Sequence, residues 1–200
     1  MKLHQAFAFV TLLVVHICGL KIDCDNPDGI NEDHIHYCCK HPEKPNKVLE
    51  DCSKETGFKW PNPKEEAFID ITPDRAIAGT CFSKCVFNKL NFIKGEDFNM
   101  EAVRKYYSDN HSNDPEYVKE MLNAFDHCHG KSEDNAAKFL SNPMFKTLSD
   151  DFCEPKSSVI LACVIRQFFH NCPIERWSKS PECDRVLEFS KSCKDALISM

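Results

Sequence analysis

Thirteen cysteines in a chain of 200 residues limit the possible folds more than any other feature. They stand at positions 18, 24, 38, 39, 52, 81, 85, 128, 153, 163, 172, 183 and 193. Cys18 lies in a leader-like segment, in which Lys2 is followed by an apolar run from Ala6 to Ile17 and by small residues ending at Gly19. This is the pattern of a secretory signal peptide, and the run is too short to span a bilayer. Residues 1–19 are therefore expected to be removed, and residues 20–200 to form one secreted domain in oxidising surroundings. Twelve cysteines then remain, an even number that suits six disulfides. A mature chain of about 181 residues also buries a real apolar core, so bridges supplement packing rather than replace it. Loss of Lys2 takes the formal charge from −6 to −7, which argues against nucleic acid or an anionic membrane as partner.

Helix signals run along the whole chain, and strand signals are nearly absent. The most informative stretch is Thr72 to Gly95. Thr72 is placed to cap a helix, Pro73 suits its first turn, Asp74 favours the positive end of the dipole, and Gly95 is placed to end it. Ile77, Cys81 and Cys85 recur at helical spacing, with Phe82, Val86 and Leu90 beside them. Two cysteines four apart share one helix face, so each must reach out to another segment. A short helix is expected over Lys44 to Gly57, and a break at Trp60-Pro61-Asn62-Pro63. Helices are expected from Asn99 to Ser108, from Asp114 to Gly130, from Ser132 to Leu140, from Pro155 to Asn171, and from Ser180 towards the C-terminus. Val159 to Ile165 is apolar on every side, which marks a helix surrounded by others. The expected fold is all-α, a compact bundle of seven to eight helices, with residues 20–44 and 173–200 as terminal extensions.

Few motifs carry chemistry. Cys38-Cys39-Lys40-His41 lacks the spacing of a secreted phospholipase, and no Gly-rich calcium loop precedes it. His34, His36, Cys38, Cys39 and His41 include zinc-type ligands, but secreted cysteines more often pair with each other, and no metal or cofactor is expected. No Gly-x-Ser-x-Gly, His-Glu-x-x-His or phosphate loop occurs, so an enzyme is not supported. Asn110-His111-Ser112 is a glycosylation sequon in an expected loop, Asp109 to Asp114.

The cysteine spacing is more specific. From Cys52 it runs C-x28-C-x3-C-x42-C-x24-C-x9-C-x8-C-P-x9-C, through Cys172-Pro173 to Cys183. This resembles the Plus-C, or twelve-cysteine, subgroup of insect odorant-binding proteins in its x3, x9 and x8 spacings, its Cys-Pro, and its extra cysteines at both ends. The resemblance implies helices around an apolar cavity, no catalysis and no cofactor. It implies a carrier for odorants and other semiochemicals, with a small apolar volatile as ligand, an odorant receptor as downstream partner, and a monomer or homodimer as the working state. By position it implies bridges Cys52–Cys85, Cys81–Cys163 and Cys128–Cys172, with Cys153 as an alternative in the place of Cys128. Cys24, Cys38, Cys39, Cys153, Cys183 and Cys193 would then pair among themselves. If Cys128 and Cys172 bond, His127, His129 and His170 would come together as a pH-sensitive cluster.

The residues themselves point to a carrier as well. Fifteen Phe and five Met are present, and the two strong helices near 115–129 and 155–171 supply Met121, Leu122, Phe125, Leu161, Val164, Ile165, Phe168 and Phe169 as candidate ligand contacts. The competing class is a secreted, disulfide-rich protein-binding module of defence or inhibitor type. A carrier requires an interior cavity of a few hundred Å3, whereas such a module requires a filled interior and an exposed apolar patch.

Overall fold

A computed structural model describes residue 24 and residues 35–42, 46–59, 73–148 and 150–193. The predicted signal peptide, the break at Trp60 to Pro63 and the capping residue Thr72 lie outside the described residues. Seven helices of ten to seventeen residues and two single turns carry the described chain. They are α1 (Ile35–Cys38), α2 (Lys47–Thr56), α3 (Pro73–Lys89), α4 (Met100–His111), α5 (Pro115–His129), α6 (Ser132–Ser141), α7 (Pro143–Lys146), α8 (Lys156–His170) and α9 (Pro181–Ser192). The fold is all-α apart from a two-stranded hairpin, β1 (Ile93–Lys94) and β2 (Asp97–Phe98).

Polar side chains set most of the helix starts. Asn46 Oδ1 accepts from the amides of Val48 and Leu49, at 3.0 and 3.4 Å. Asn99 caps α4 through the Ala102 amide, Asp114 caps α5 through Tyr117, and Ser180 caps α9 through Cys183, each at 3.1 Å. Each such cap is worth about 1 kcal/mol.

The end of α3 differs from expectation. It stops at Lys89, because Asn91 takes the left-handed conformation (φ 57°). The Phe92 amide then donates to Phe87 O at 2.8 Å and the Asn91 amide to Asn88 O at 3.1 Å, a Schellman stop with its usual apolar contact, here Phe87 on Phe92. Gly95, read as the helix stop, instead serves the β1–β2 turn at φ 67°. The sequon stretch also differs: α4 runs on to His111, so Asn110 sits in its last turn, exposed, with Nδ2 donating to Tyr106 O at 2.8 Å.

The helix at the centre is α8, which packs against α1, α3, α5, α6 and α9. Ile160, Val164, Phe168 and Phe169 are fully buried along it. A smaller cluster, Phe139, Phe145 and Val159 with Phe152, fills the space beneath α6 and α7.

All twelve cysteines after Cys18 are bonded. Cys52 pairs with Cys85. The other two framework bridges are corrected. Cys81 bonds Cys153 rather than Cys163, and Cys128 bonds Cys163 rather than Cys172. A disulfide needs Cα atoms about 4.4–6.8 Å apart, and packing decides which pairs meet that limit. Because α5 and α8 lie against each other, Cys128 and Cys163 face across their contact, 5.7 Å apart at Cα. Cys81 meets the segment that enters α8, with Cα atoms 4.9 Å apart. The six remaining cysteines are not a closed set either. Cys24–Cys193 and Cys38–Cys183 join two pairs of them, but Cys39 bonds Cys172 and Cys153 bonds Cys81.

Candidate functional site

A cavity of about 560 Å3 lies between α2, α3, α4, α5 and α8. The Schellman stop builds much of one wall, since it sets Phe87 and Phe92 side by side, with Val86 next to Phe87 and Phe82 one turn before Val86 along α3. Met121 and Phe125 from α5 and Leu161, Val164 and Ile165 from α8 close the opposite side. Phe125 sits between Phe87, Phe92 and Tyr107, with ring centroids 5.7–6.3 Å away. Val48 and Leu49 of α2 complete the apolar lining. This end of the cavity offers dispersion and shape alone.

The other end is polar. Tyr106, Tyr107 and His111 come from α4, Tyr117 from α5, and His41 and Asn46 from the segment that leads into α2. Asn46 Nδ2 donates to Tyr106 Oη at 2.7 Å. Tyr107 and Tyr117 meet edge to face, with ring centroids 6.0 Å apart, and His41 Nδ1 lies 3.2 Å from Tyr117 Oη. The Arg176 guanidinium sits over the Tyr117 ring, 5.1 Å from its centroid, pairs with Asp114 and donates to Lys40 O at 3.0 Å. Exposed Lys47 and Asn110 stand at the rim.

The wall that carries His41 and Pro42 is a strap, residues 38–42, sewn to the chain that follows α8. Two disulfides hold it, Cys38–Cys183 and Cys39–Cys172. Backbone bonds from Lys40 N to Arg176 O (3.1 Å) and from Ser178 N to Cys38 O (2.8 Å) run beside them. Cys38, Cys39 and Cys183 thus fix a cavity wall rather than merely tethering a loose terminus.

Burial raises the pKa of Tyr106, Tyr107 and Tyr117 above the ordinary phenol value, most strongly for Tyr107 and Tyr117. All three are neutral hydrogen-bonding groups at physiological pH. Because the folded state holds these protons more tightly, their contribution to stability is complete below the unfolded pKa of about 10 and is lost as pH rises through the folded values. In a Tyr37→Phe variant, which leaves only these three tyrosines, phenolate absorbance is expected to grow only as the helical circular dichroism collapses. Ionisation near pH 10 in a fully helical protein would contradict the burial of this group.

Of the eight residues nominated from sequence, Met121, Phe125, Leu161, Val164 and Ile165 line the cavity. Leu122 faces a different groove, about 590 Å3, between α4 and α5. That groove is shallow and lined mainly by exposed polar residues, among them Arg104, Lys119 and Asp126, with Val118 and Leu122 between them. Phe168 lies behind the polar end, against His41 and Tyr117, and Phe169 packs on Trp177. The α3 wall and the tyrosines were missed. Their signal was present, since Phe82, Val86 and Leu90 mark an apolar stripe and Tyr106-Tyr107 the apolar side of α4, but nothing local says which stripe borders a void.

The histidine cluster does not form as expected, because its premise, a Cys128–Cys172 bond, is absent. His129 stacks on Phe98 at 5.1 Å, His127 lies 3.0 Å from Lys131 Nζ, and His170 Nε2 is 2.6 Å from Ser190 Oγ. Cys38 and Cys39, considered as zinc ligands, are both oxidised and offer no thiolate. The same holds for Cys52 and Cys85, which lie beside Glu55.

A family model described as AgamOBP47-like matches residues 46–189. The chain belongs to this family of odorant-binding proteins. Its six disulfides fit the Plus-C type. Among curated relatives, Odorant-binding protein 47 of Anopheles gambiae is 29% identical over 173 residues, covering 78% of this chain and 73% of its own. General odorant-binding protein 68 of the same mosquito is 24% identical over 177 residues, covering 87% and 76%. The family match takes in α2 to α8, and so every element that lines the cavity except the strap. Among the described residues no helix is long and apolar enough to cross a membrane.

Proposed function

We propose that this odorant-binding protein is a secreted, non-catalytic carrier that takes up small hydrophobic ligands, odorants and semiochemicals among them, and delivers them through aqueous sensory fluid to receptors. The observation that supports this most is the cavity itself. Its volume, about 560 Å3, lies within the range of small-molecule sites, and its lining is aromatic and aliphatic over all but one end. A protein-binding module would instead have a filled interior and an apolar surface patch. Among the described residues the exposed large hydrophobic side chains are Tyr37 and Ile174, which are too few for such a patch. The residues proposed to hold the ligand body are Phe82, Phe87, Phe125, Leu161, Val164 and Ile165.

The test is to fill the space. Leu161→Trp places an indole in the cavity from α8 without altering a hydrogen bond. It is expected to weaken binding of the apolar fluorescent probe N-phenylnaphthylamine at least tenfold while leaving the helical signal intact. Unchanged probe affinity in a folded Leu161→Trp protein would place the ligand elsewhere and defeat the reading.

A further inference from the structure

The polarity of the tyrosine end follows from a helix cap. Asn46 Oδ1 is committed to the Val48 and Leu49 amides at the start of α2. That fixes the orientation of the side-chain amide, so the group facing Tyr106 is Nδ2, a donor with no acceptor capacity. Tyr106 Oη must therefore accept from Asn46, and its own proton is directed elsewhere. Among the described residues no acceptor takes it. The Tyr117 hydroxyl is itself engaged with His41 Nδ1, at 3.2 Å. Tyr106 is half-buried and lines the cavity, where a spare donor loses free energy unless something inside accepts from it.

We propose that Tyr106 forms a head-group subsite, in which its hydroxyl donates to a neutral acceptor oxygen of the ligand, such as a ketone, aldehyde or ester carbonyl. This rests on the carrier reading above and specifies its ligand class as an apolar body with one uncharged acceptor at its end. The body lies along the α3 aromatic wall. A carboxylate is disfavoured, because the groups nearest Tyr106 are an uncharged amide and phenols, and the buried His111 ring, 6.2 Å away between centroids, would pair with an anion only by burying a charge of its own. The nearby half-buried cation, Arg176, is engaged by Asp114 and by the Lys40 carbonyl, and Lys47 is exposed at the rim. An ionised head would shed its water without a charge partner at hand.

The experiment displaces N-phenylnaphthylamine from the full mature chain with three competitors of matched main-chain length. These are methyl nonyl ketone, the alkene in which a methylidene replaces its carbonyl oxygen, and undecanoate. Wild type is expected to prefer the ketone over the alkene by about fivefold, the effect of one net hydrogen bond, and to bind undecanoate least. Tyr106→Phe removes the donor and should bring the ketone-to-alkene ratio close to one. Asn46→Asp is the sharper variant. It keeps a capping oxygen for α2 but turns the Tyr106-facing atom into an acceptor that takes the tyrosine proton. The ketone preference should vanish there too, with Tyr106 still in place. A ketone-to-alkene ratio that is the same in all three proteins would overturn the subsite. Undecanoate binding as tightly as the ketone would overturn its neutrality. If the probe itself fails to bind wild type, the carrier reading falls and the subsite with it.

Discussion

Replacing Phe125 by alanine is expected to destabilise the protein by about 3 kcal/mol, near the low end for a buried Phe. Its ring is 2% exposed and meets Phe87, Phe92, Phe98 and Tyr107 at centroid distances of 5.7–6.3 Å. Aromatic pairs add about 0.5–1.5 kcal/mol each beyond the area they bury, so losing four of them would suggest a larger figure. The cavity works in the other direction. One side of the ring already borders empty space, where it has fewer partner atoms to lose. For a chain of this size the loss corresponds to a melting temperature lower by roughly 6–12 °C. Phe139→Ala makes a useful control, because Phe139 is also buried, in the separate cluster with Phe145 and Phe152. Both variants should melt earlier, but only Phe125→Ala should enlarge the cavity and improve the relative affinity of bulkier apolar probes. If the two variants shift probe selectivity alike, Phe125 does not bound the ligand site.

Much of the helical layout was legible in the sequence, for a local reason. Asn99, Asp114 and Ser180 sit immediately before their helices, and each side chain makes the capping bond that its position suggests. The apolar stretch Val159 to Ile165 marked a surrounded helix, and α8 is indeed packed on five others. Helix ends were harder to read. Asn91 competes with Gly95 for the left-handed position after α3, and the winner depends on whether Phe92 can fold back onto Phe87. That contact is short-range, yet it decides the shape of a cavity wall.

Disulfide partners are a different kind of quantity. Cys81 and Cys163 both lie on helices that pack together, so a bond between them is reasonable from burial alone. What decides is which face of α8 each neighbour covers, and that is set by α5 and α6 as much as by α3. The cavity was hidden for the same reason. A Phe stripe looks alike in sequence whether it borders another side chain or a void. The polar end depends on bringing Asn46, Tyr106 and Tyr117 together across three elements that no local pattern links.

The Cys128–Cys163 bridge is where the second large effect is expected. It joins α5 to α8, the two most extensively packed helices, and Cys128 is fully buried. The closed loop spans 35 residues of sequence separation, for which chain entropy gives about 3–4 kcal/mol. Replacing both cysteines by alanine should therefore lower the melting temperature by roughly 10 °C and, because Val164 and Phe125 sit beside the bridge on the same two helices, loosen the cavity wall. Cys24–Cys193 offers the contrast. Its sequence separation is 169 residues, but with Cys38–Cys183 intact it closes a loop of only about 24, so chain entropy ranks the two bridges about alike. Yet Cys24 is exposed, and neither partner lines the cavity. Its removal should cost stability without weakening probe binding, whereas removal of Cys128–Cys163 should do both. Peptide mapping of the unreduced protein must link Cys128 to Cys163 and Cys81 to Cys153 for this argument to stand. A Cys128→Ala/Cys163→Ala protein that binds N-phenylnaphthylamine as tightly as wild type would show that the bridge holds the fold but not the site.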